Sequence, residues 1–450
     1  MAKYFGTDGF RGESNVNLTA DHAYKIGRFL GWYLRKKHEE SADMFPAKVL
    51  IGKDTRRSGY MLEYSLVGGL TASGCDVYLL HVTTTPCVSF ITRTDEFDCG
   101  IMISASHNPY YDNGIKLFNS LGEKMGEEVT DLIEEYLDSD NMTLPFARRD
   151  KIGKTVDFVS GRNRYIGYLI SLGMFSFKGM RIGLDCANGS AWNIAKSVFE
   201  ALGATVYLIG AEPNGININY MVGSTHMDAI SDFVREKRLD IGFSFDGDAD
   251  RCLCADENGN VIDGDRILYM AAKYLKEKGL LSGDKVVSTV MSNLGLEKSL
   301  AKEDIKVIRT QVGDRFVYEE IKKGGYKLGG EQSGHIIFSS YATTGDGILT
   351  SLKVMEIMMD KKAKLSELVS GFRAYPQTLI NIQVQDKNKI LQSEKVKTAV
   401  SDAEHQLADK GRVLLRASGT EPVVRIMVEA ESEDMCKAVA DELAKAVEES

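Results

Sequence analysis

The segment from Cys99 to Asn119 constrains the fold more than any other, because it passes from buried strand to polar loop within one residue. Gly100, Ile101, Met102 and Ile103 form a short apolar run of the kind found in a strand covered on both faces. Ser104, Ala105, Ser106, His107, Asn108 and Pro109 then make a polar loop at the strand's carboxyl end. In open α/β sheets that is where ligands bind, and Pro109 prevents the segment from running on as a regular strand. Tyr111-Asp112-Asn113-Gly114 reads as a tight turn, since Asn-Gly takes positive φ at little cost. Ile115 to Phe118 then alternates, with Ile115 and Leu117 on one face and Lys116 on the other. A hairpin-like return brings Lys116 toward Ser106 and places a hydroxyl and an amine on one polar surface. Taken singly, Ser106 is an ordinary loop serine and Lys116 a solvated lysine; the combination is less ordinary. The stretch is not expected to be a serine-hydrolase elbow, because the Gly-x-Ser-x-Gly frame is missing and adjacent side chains such as those of Ser106 and His107 tend to diverge.

At 450 residues the chain is too long for one core, and length suggests about three domains. With 43% hydrophobic and 26% charged residues it has ample material for packed cores, which excludes long disorder. A balance of 55 basic against 64 acidic residues, net −9, argues against nucleic acid as a partner but allows a local basic pocket for a small anion. The seven cysteines are odd in number and contain no Cys-x-x-Cys, which predicts reduced, mostly buried thiols in a cytoplasmic protein. Asp8, Arg11 and Glu13 lie where a signal peptide needs an apolar run, and no run of 18 apolar residues occurs, so no membrane association is expected.

From the amino end, Phe5-Gly6-Thr7-Asp8-Gly9-Phe10-Arg11-Gly12 offers backbone N–H groups and the fixed charge of Arg11 to a ligand, though as a pattern it is also an ordinary glycine-rich turn. An amphipathic helix is predicted over residues 19–38, then a strand at 49–51, a helix over 60–72 and a strand at 77–80. Strands alternating with helices imply a mostly parallel layered sheet. A helix over 127–137 precedes a charged, aperiodic linker at 138–153. The layered pattern restarts with a helix at 165–172, the strand 181–184 and the loop Asp185-Cys186-Ala187-Asn188-Gly189. The strand Ile241–Phe245 then ends in Asp246-Gly247-Asp248-Ala249-Asp250-Arg251. Three carboxylates on alternate residues converge only if something neutralises them, and a hard dication with oxygen ligands is the natural candidate. An EF-hand is ruled out because Arg251 stands where that loop needs glycine and the flanks alternate like strands. A solvated acidic turn is the remaining alternative.

A third layered unit extends to Val369, with strands at 286–290 and 305–309. In its loop Leu328–His335, Glu331, Ser333 and His335 present a carboxylate, a hydroxyl and an imidazole at alternate positions, a set able to grip vicinal hydroxyls or simply a polar turn. From about Gly371 a smaller α+β unit follows. Between its strands at 413–416 and 423–428 lies Arg416-Ala417-Ser418-Gly419-Thr420-Glu421-Pro422, a phosphate cradle with Arg425 adding charge, or a plain connection.

In their order, FGTDGFRG, ISASHNPYYDNGIKLF, DCANG, GSTH, FDGDADR, VMSNLGLE, RTQVGDRF, LGGEQSGHII, TTGDGI and RASGTEP resemble the α-D-phosphohexomutases along the whole chain, in the branch that acts on amino sugars. The departures are slight, such as Phe10 for isoleucine and Ala417 for proline. The resemblance implies an α/β fold of three related mixed α/β domains (1–153, 154–256 and 257–369) and a smaller C-terminal α+β domain (370–450) around a central active-site cleft. It implies a phosphoserine at Ser106, with Lys116, Arg11, His107 and Arg251 as further catalytic residues and one Mg2+ held by Ser106, Asp246, Asp248 and Asp250. Glu331, Ser333 and His335 are expected to bind the sugar, and Arg416, Ser418, Gly419, Thr420 and Arg425 the phosphate that is not transferred. The expected reaction interconverts glucosamine 6-phosphate and 1-phosphate through glucosamine 1,6-bisphosphate, supplying UDP-N-acetylglucosamine synthesis. The same chemistry on glucose or mannose phosphates, and a non-catalytic phosphosugar-binding protein, are the alternatives. Asp314 or Arg315 is a candidate to sense the amino group. The partner is a small phosphosugar, with neither nucleic acid nor membrane, and the chain is expected to be a monomer or homodimer.

Overall fold

The computed structural model describes residues 3–41, 45–139, 143–417 and 423–450, whose strands form four sheets. The first contains β1 (Phe5–Gly6), β2 (Gly9–Glu13), β3 (Lys48–Lys53), β4 (Asp76–Val82), β5 (Cys99–Ile103), β6 (Asp112–Asn119) and β7 (Thr155–Asp157). Their order is β1-β2-β6-β5-β3-β4-β7. β5, β3, β4 and β7 run parallel, while β6, β2 and β1 add antiparallel pairings at one side, so the sheet is mixed. Helix Ala20–Glu40 begins at Thr19, whose hydroxyl caps His22 N–H, and buries Ala23, Ile26, Leu30 and Leu34. It packs closely on helix Ser58–Ala72 because Gly27 and Gly69 bring the two backbones together.

The second sheet has the order β12-β11-β10-β8-β9, built from β8 (Arg181–Asp185), β9 (Thr205–Ile209), β10 (Ile241–Phe245), β11 (Cys252–Ala255) and β12 (Val261–Ile262). The third, β14-β13-β15-β16, contains β13 (Lys285–Thr289), β14 (Lys306–Thr310), β15 (Leu328–Gly330) and β16 (Ile336–Phe338). One unit recurs in all three sheets: a buried strand parallel to its neighbour, a loop, and an antiparallel return. β5 to β6, β10 to β11 and β15 to β16 are its three copies, and each loop leaves the carboxyl end of a parallel strand. All residues of β5, β10 and β15 are buried, as their apolar runs require.

Met1–Met291 with Val307–Val369 forms one compact unit, and Ser292–Lys306 with Ser370–Ser450 a second. Within the second, the antiparallel sheet β17-β19-β18 comprises β17 (Gln377–Gln383), β18 (Gly411–Ala417) and β19 (Val423–Ala430), and helices 394–407 and 433–448 pack with it around Val424, Ile426, Val428, Val439 and Leu443.

Two local expectations are corrected. Asn113 and Gly114 do not form a turn. They lie inside β6, where Asn113 Oδ1 accepts Gly114 N–H at 2.8 Å, and the chain reverses earlier, between Ser106 and Tyr111. Helix Thr85–Thr94 has no counterpart in the sequence reading, although Thr84 as N-cap and Pro86 in the first turn are its start signals. All seven cysteines are free and buried, and among the described residues no helix is long and apolar enough to cross a membrane.

Candidate active site

Ser106 stands at the carboxyl end of β5 with φ +54°, a left-handed backbone that costs a non-glycine residue about 1–2 kcal/mol. It is buried, and its hydroxyl donates to Asp246 Oδ2 at 2.5 Å. His107 does not diverge from its neighbour as the sequence suggests: with Ser106 in the left-handed region, His107 Nδ1 lies 3.3 Å from Ser106 Oγ and accepts from Arg251 Nη1 at 3.1 Å. Burial, then Arg251 and Arg11, push the His107 imidazole down to about 4, so the ring is neutral at pH 7. The loop is gripped from behind. Arg56 Nη2 donates to the carbonyls of Ser106 and Asn108, both at 2.9 Å, and Asn219 Nδ2 donates to the same pair at 2.9 and 3.0 Å.

Asp246, Asp248 and Asp250 are all buried and bring ligand oxygens within 4.8 Å of one another. Their loop is shaped by neighbouring turns: Ser190 N–H donates to Gly247 O at 2.8 Å, and Ser224 N–H to Phe245 O at 2.9 Å. Asp185 in turn accepts Ala187 N–H and Gly223 N–H, tying the DCANG and GSTH segments into this scaffold. Burial, then the neighbouring carboxylates of Asp250 and Asp248, push Asp246 well above the usual carboxylate range. Lys116 on β6 reaches across, its Nζ 2.5 Å from Asp248 Oδ2 and 3.0 Å from Asp250 Oδ2. Burial disfavours its charge, but the two carboxylates outweigh that and hold the ammonium protonated. Burial likewise opposes ionisation of Asp250, and Lys116, His335 and Arg251 overcome it. Asp248 Oδ1 and Asp250 Oδ1 are buried with no hydrogen-bond partner, as expected of oxygens arranged to receive a hard cation. Thr85 closes the back of this set: its hydroxyl donates to Asp248 Oδ2 and its N–H to Asp248 O at 2.9 Å.

Arg11 lies on β2 opposite Gly114, its Nη2 3.3 Å from Asp8 Oδ2. Gly9, at φ +83°, lets the preceding turn lie directly on Ile115 O. Asp8 and Lys116 line a cleft of about 820 Å³ together with Lys124, Glu127 and Arg315. Lys124 Nζ binds Thr7 O at 2.7 Å, Asp8 Oδ1 at 3.3 Å and Asp314 Oδ1 at 2.5 Å, joining the glycine-rich turn to the third sheet's domain. Arg315 is held by Glu127 and Glu319.

In the third loop Glu331 Oε1 accepts Gly313 N–H at 3.2 Å, and Ser333 Oγ lies 3.5 Å from Glu331 Oε2. Burial raises the Glu331 carboxyl above its usual range. His335 is buried, with Nε2 3.2 Å from both Asp314 Oδ2 and Gly345 N, and Nδ1 without a partner. A Cβ on Gly345 would stand 2.6 Å from Asp250 O and from the His335 ring, so this loop packs against the aspartate loop.

The structure therefore brings Ser106, His107, Lys116, Asp246, Asp248, Asp250 and Arg251 into one cluster and sets Glu331, Ser333 and His335 beside it. Asp54, Arg56, Thr85, Lys124 and Asn219 escaped the sequence reading. Their only signals were a buried-type Asp-x-Arg after β3, a Thr-Pro helix start, and polar residues in loops with no apolar period. In the second unit Arg416 on β18 pairs in register with Arg425 on β19. Burial, then Arg425, lower the Arg416 guanidinium from its ordinary value. Ser418, Gly419 and Thr420 lie outside the described residues.

Three copies of one strand–loop–strand unit, each delivering a polar loop, followed by a small α+β unit, are the architecture of a four-domain phosphosugar mutase. In agreement, the chain matches the phosphoglucomutase/phosphomannomutase α/β/α domain I over residues 2–143, domain II over 163–259, domain III over 263–375 and the C-terminal domain over 379–446. A phosphoglucomutase/phosphomannomutase family protein from Burkholderia thailandensis superposes with a TM-score of 0.82 at 24% identity, covering 100% of this chain and 98% of its own. The phosphoglucosamine mutase of Lachnospira eligens is 60% identical over 443 residues, 98% of each chain. That of Lachnoclostridium phytofermentans is 58% identical over 441 residues, 98% of this chain and 97% of its own. The chain belongs to the phosphoglucosamine mutase family.

Proposed function

We propose that the chain interconverts glucosamine 6-phosphate and glucosamine 1-phosphate, with Ser106 as the phosphoryl carrier and glucosamine 1,6-bisphosphate as the intermediate. The observation that carries the phosphoryl transfer is the 2.5 Å contact of Ser106 Oγ with Asp246, at the edge of three buried carboxylates balanced by Lys116, and the amino sugar is supported by the 60% identity to a phosphoglucosamine mutase. In the first half-reaction the O–P bond at Ser106 breaks as a bond forms from phosphorus to the free sugar hydroxyl. That hydroxyl loses a proton, and Ser106 Oγ receives one. The neutral His107 imidazole beside that oxygen and the Lys116 ammonium are the groups able to exchange these protons. The second half-reaction returns the other phosphoryl group of the bisphosphate to Ser106 after the sugar has turned over.

Asp246, Asp248 and Asp250, with an oxygen on Ser106, would hold one Mg2+, which when bound would supply positive charge to the phosphoryl oxygens. Arg11 and Arg251 add fixed positive charge around the moving group. Glu331, Ser333 and His335 hold sugar hydroxyls in both orientations, while Arg416, Ser418, Gly419, Thr420 and Arg425 hold the phosphate that stays in place. Boundaries near 153/154, 256/257 and 369/370 give each of the four domains one of these loops, with β7 (155–157) remaining in the first sheet and β12 (261–262) in the second. Seven free buried thiols and a net charge of −9 support a cytoplasmic enzyme whose partner is a small anion and not nucleic acid. The product serves UDP-N-acetylglucosamine synthesis.

The test is kcat/KM for glucosamine 6-phosphate beside glucose and mannose 6-phosphates, with Mg2+ and catalytic hexose bisphosphate, for wild type and Ser106→Ala. Preference for the amino sugar, lost in the variant, is expected. Preference for glucose or mannose phosphate would leave the mechanism standing and overturn the substrate, and tight binding without turnover would mark a phosphosugar-binding protein.

A further inference from the structure

We infer that Arg56 and Asn219 are positioning residues that set the trajectory of the phosphoryl group by clamping the backbone of Ser106, an inference that rests on the carrier role of that serine. Ser106 holds a left-handed conformation with no glycine to relax it, so its surroundings must impose that conformation. Both of its backbone groups lead back to one buried carboxylate. Asp54 Oδ2 accepts the Ser104 hydroxyl at 2.7 Å, and Ser104 Oγ accepts Ser106 N–H at 2.9 Å. The same Asp54 Oδ2 accepts Arg56 Nε–H at 2.8 Å, and Arg56 Nη2 donates to Ser106 O. The circuit from Asp54 to Ser106 is thus closed on both sides of the residue.

The rest of the guanidinium is also occupied. Nη2 reaches Asn108 O, and Nη1 donates to Pro109 O and, at 3.1 Å, to Asp112 O, so one side chain satisfies four carbonyls of the reversal between β5 and β6. Arg56 has no solvent exposure and is therefore not a surface charge that happens to lie nearby. Asn219 belongs to the second sheet's domain, its N–H held by Ala187 O at 2.8 Å, and it binds the carbonyls of Ser106 and Asn108 from the opposite domain. Ser106 Oγ itself is engaged with Asp246 and His107, not with either clamp. Arg56 and Asn219 consequently fix where that oxygen stands without touching the reacting atoms.

The Oγ of Ser106 is the leaving atom of one half-reaction and the attacking atom of the other, so a small displacement slows both while leaving substrate contacts intact. A lysine at position 56 offers a point charge and no planar fork, and cannot span four carbonyls.

Full-length Arg56→Lys and Asn219→Ala are compared with wild type by steady-state kinetics on glucosamine 6-phosphate and by single-turnover transfer of labelled phosphate from Ser106. Loss of positioning is expected to lower kcat and the transfer rate about 100-fold in Arg56→Lys and about tenfold in Asn219→Ala, with KM within about twofold. Amide exchange over residues 104–112 should quicken while the rest of the chain is unchanged. Transfer at the wild-type rate, or a rise in KM that accounts for the loss, overturns the inference. If Arg56→Lys does not fold, Asn219→Ala decides by the same readings. A wild type that accepts no label at Ser106 overturns the carrier role, and the inference with it; a labelled wild type with unimpaired variants overturns the inference alone.

Discussion

Lys116 stands between Asp248 and Asp250, 2.5 Å from one carboxylate oxygen and 3.0 Å from the other, so a lysine of the first sheet neutralises two of the three acids carried by the second. The balance is local and buried, with the lysine and all three acids almost without exposure. The carboxylate cluster therefore has an internal counter-charge, and a cation bound there would be linked to the stability of the loop.

Lys116→Met removes that counter-charge and leaves the buried carboxylates short of positive charge, with Arg251 the remaining nearby guanidinium. Turnover should fall at least about 100-fold, in the range of lost acid–base groups. The variant should also gain more thermal stability from Mg2+ than wild type does, because the ion then supplies charge that Lys116 otherwise provides. Thermal midpoints recorded with and without Mg2+ check this; equal gains in the two proteins would show that the lysine is not coupled to the cation site.

Gly247 supplies close approach at the meeting of the serine and aspartate loops. A Cβ there would lie 2.5 Å from Ser106 O and 2.8 Å from Ile218 Cδ1, and the first of these is backbone that cannot swing aside. Gly247→Ala is expected to cost about 1–3 kcal/mol of stability by overpacking. It should also lower kcat by displacing Ser106. An alanine variant with wild-type stability and turnover would mean that the two loops separate freely.

Much of this was legible in the chain. β5 is recognisable because both faces are buried and the apolar run is unbroken, β10 because only Ser244 interrupts such a run, and the helices over 20–40, 394–407 and 433–448 because a single face is buried. Asn113-Gly114 misled because Asn-Gly favours a turn locally, whereas pairing with β2 and β5 holds it extended. The contacts of Arg56 and Asn219 were not legible, although the Asp-x-Arg after β3 hints at a buried pair. Their function is to donate to carbonyls about 50 and 113 positions away along the chain, and no local pattern encodes that. Thr85 differs, since Thr84 and Pro86 announce a helix start, but nothing in the sequence says that the helix points at Asp248.

Arg416 and Arg425 face each other across β18 and β19, an arrangement of like charges that an anion relieves. Inorganic phosphate should raise the thermal midpoint of wild type and raise it less in Arg425→Gln. The same variant should increase KM for glucosamine 6-phosphate about tenfold or more, the worth of one charge-assisted hydrogen bond. An unchanged KM would remove this pair from the proposed phosphate site.

Asp346 gives a pH dependence whose sign can be worked out. Its carboxylate caps helix Gly347–Lys361 through Leu349 N–H at 2.9 Å and accepts the Tyr165 hydroxyl at 2.7 Å, and burial pushes it up to about 6. The Tyr165 hydroxyl, raised by its own burial and by Asp346, remains a donor throughout. In the unfolded chain an aspartate titrates near 3.9, so between that value and about 6 the folded chain keeps a proton that the unfolded chain has lost. The contribution to stability is therefore complete below about pH 4 and declines as pH rises toward 6, by about 3 kcal/mol for a shift of about two pH units. Asp346→Asn keeps the cap through its amide oxygen and does not titrate. Relative to wild type, the variant should gain stability as pH rises from 4 to 7 and show no further gain above it. Thermal midpoints of the two proteins across that range decide the matter, and a difference that does not change with pH would place the Asp346 titration outside this window.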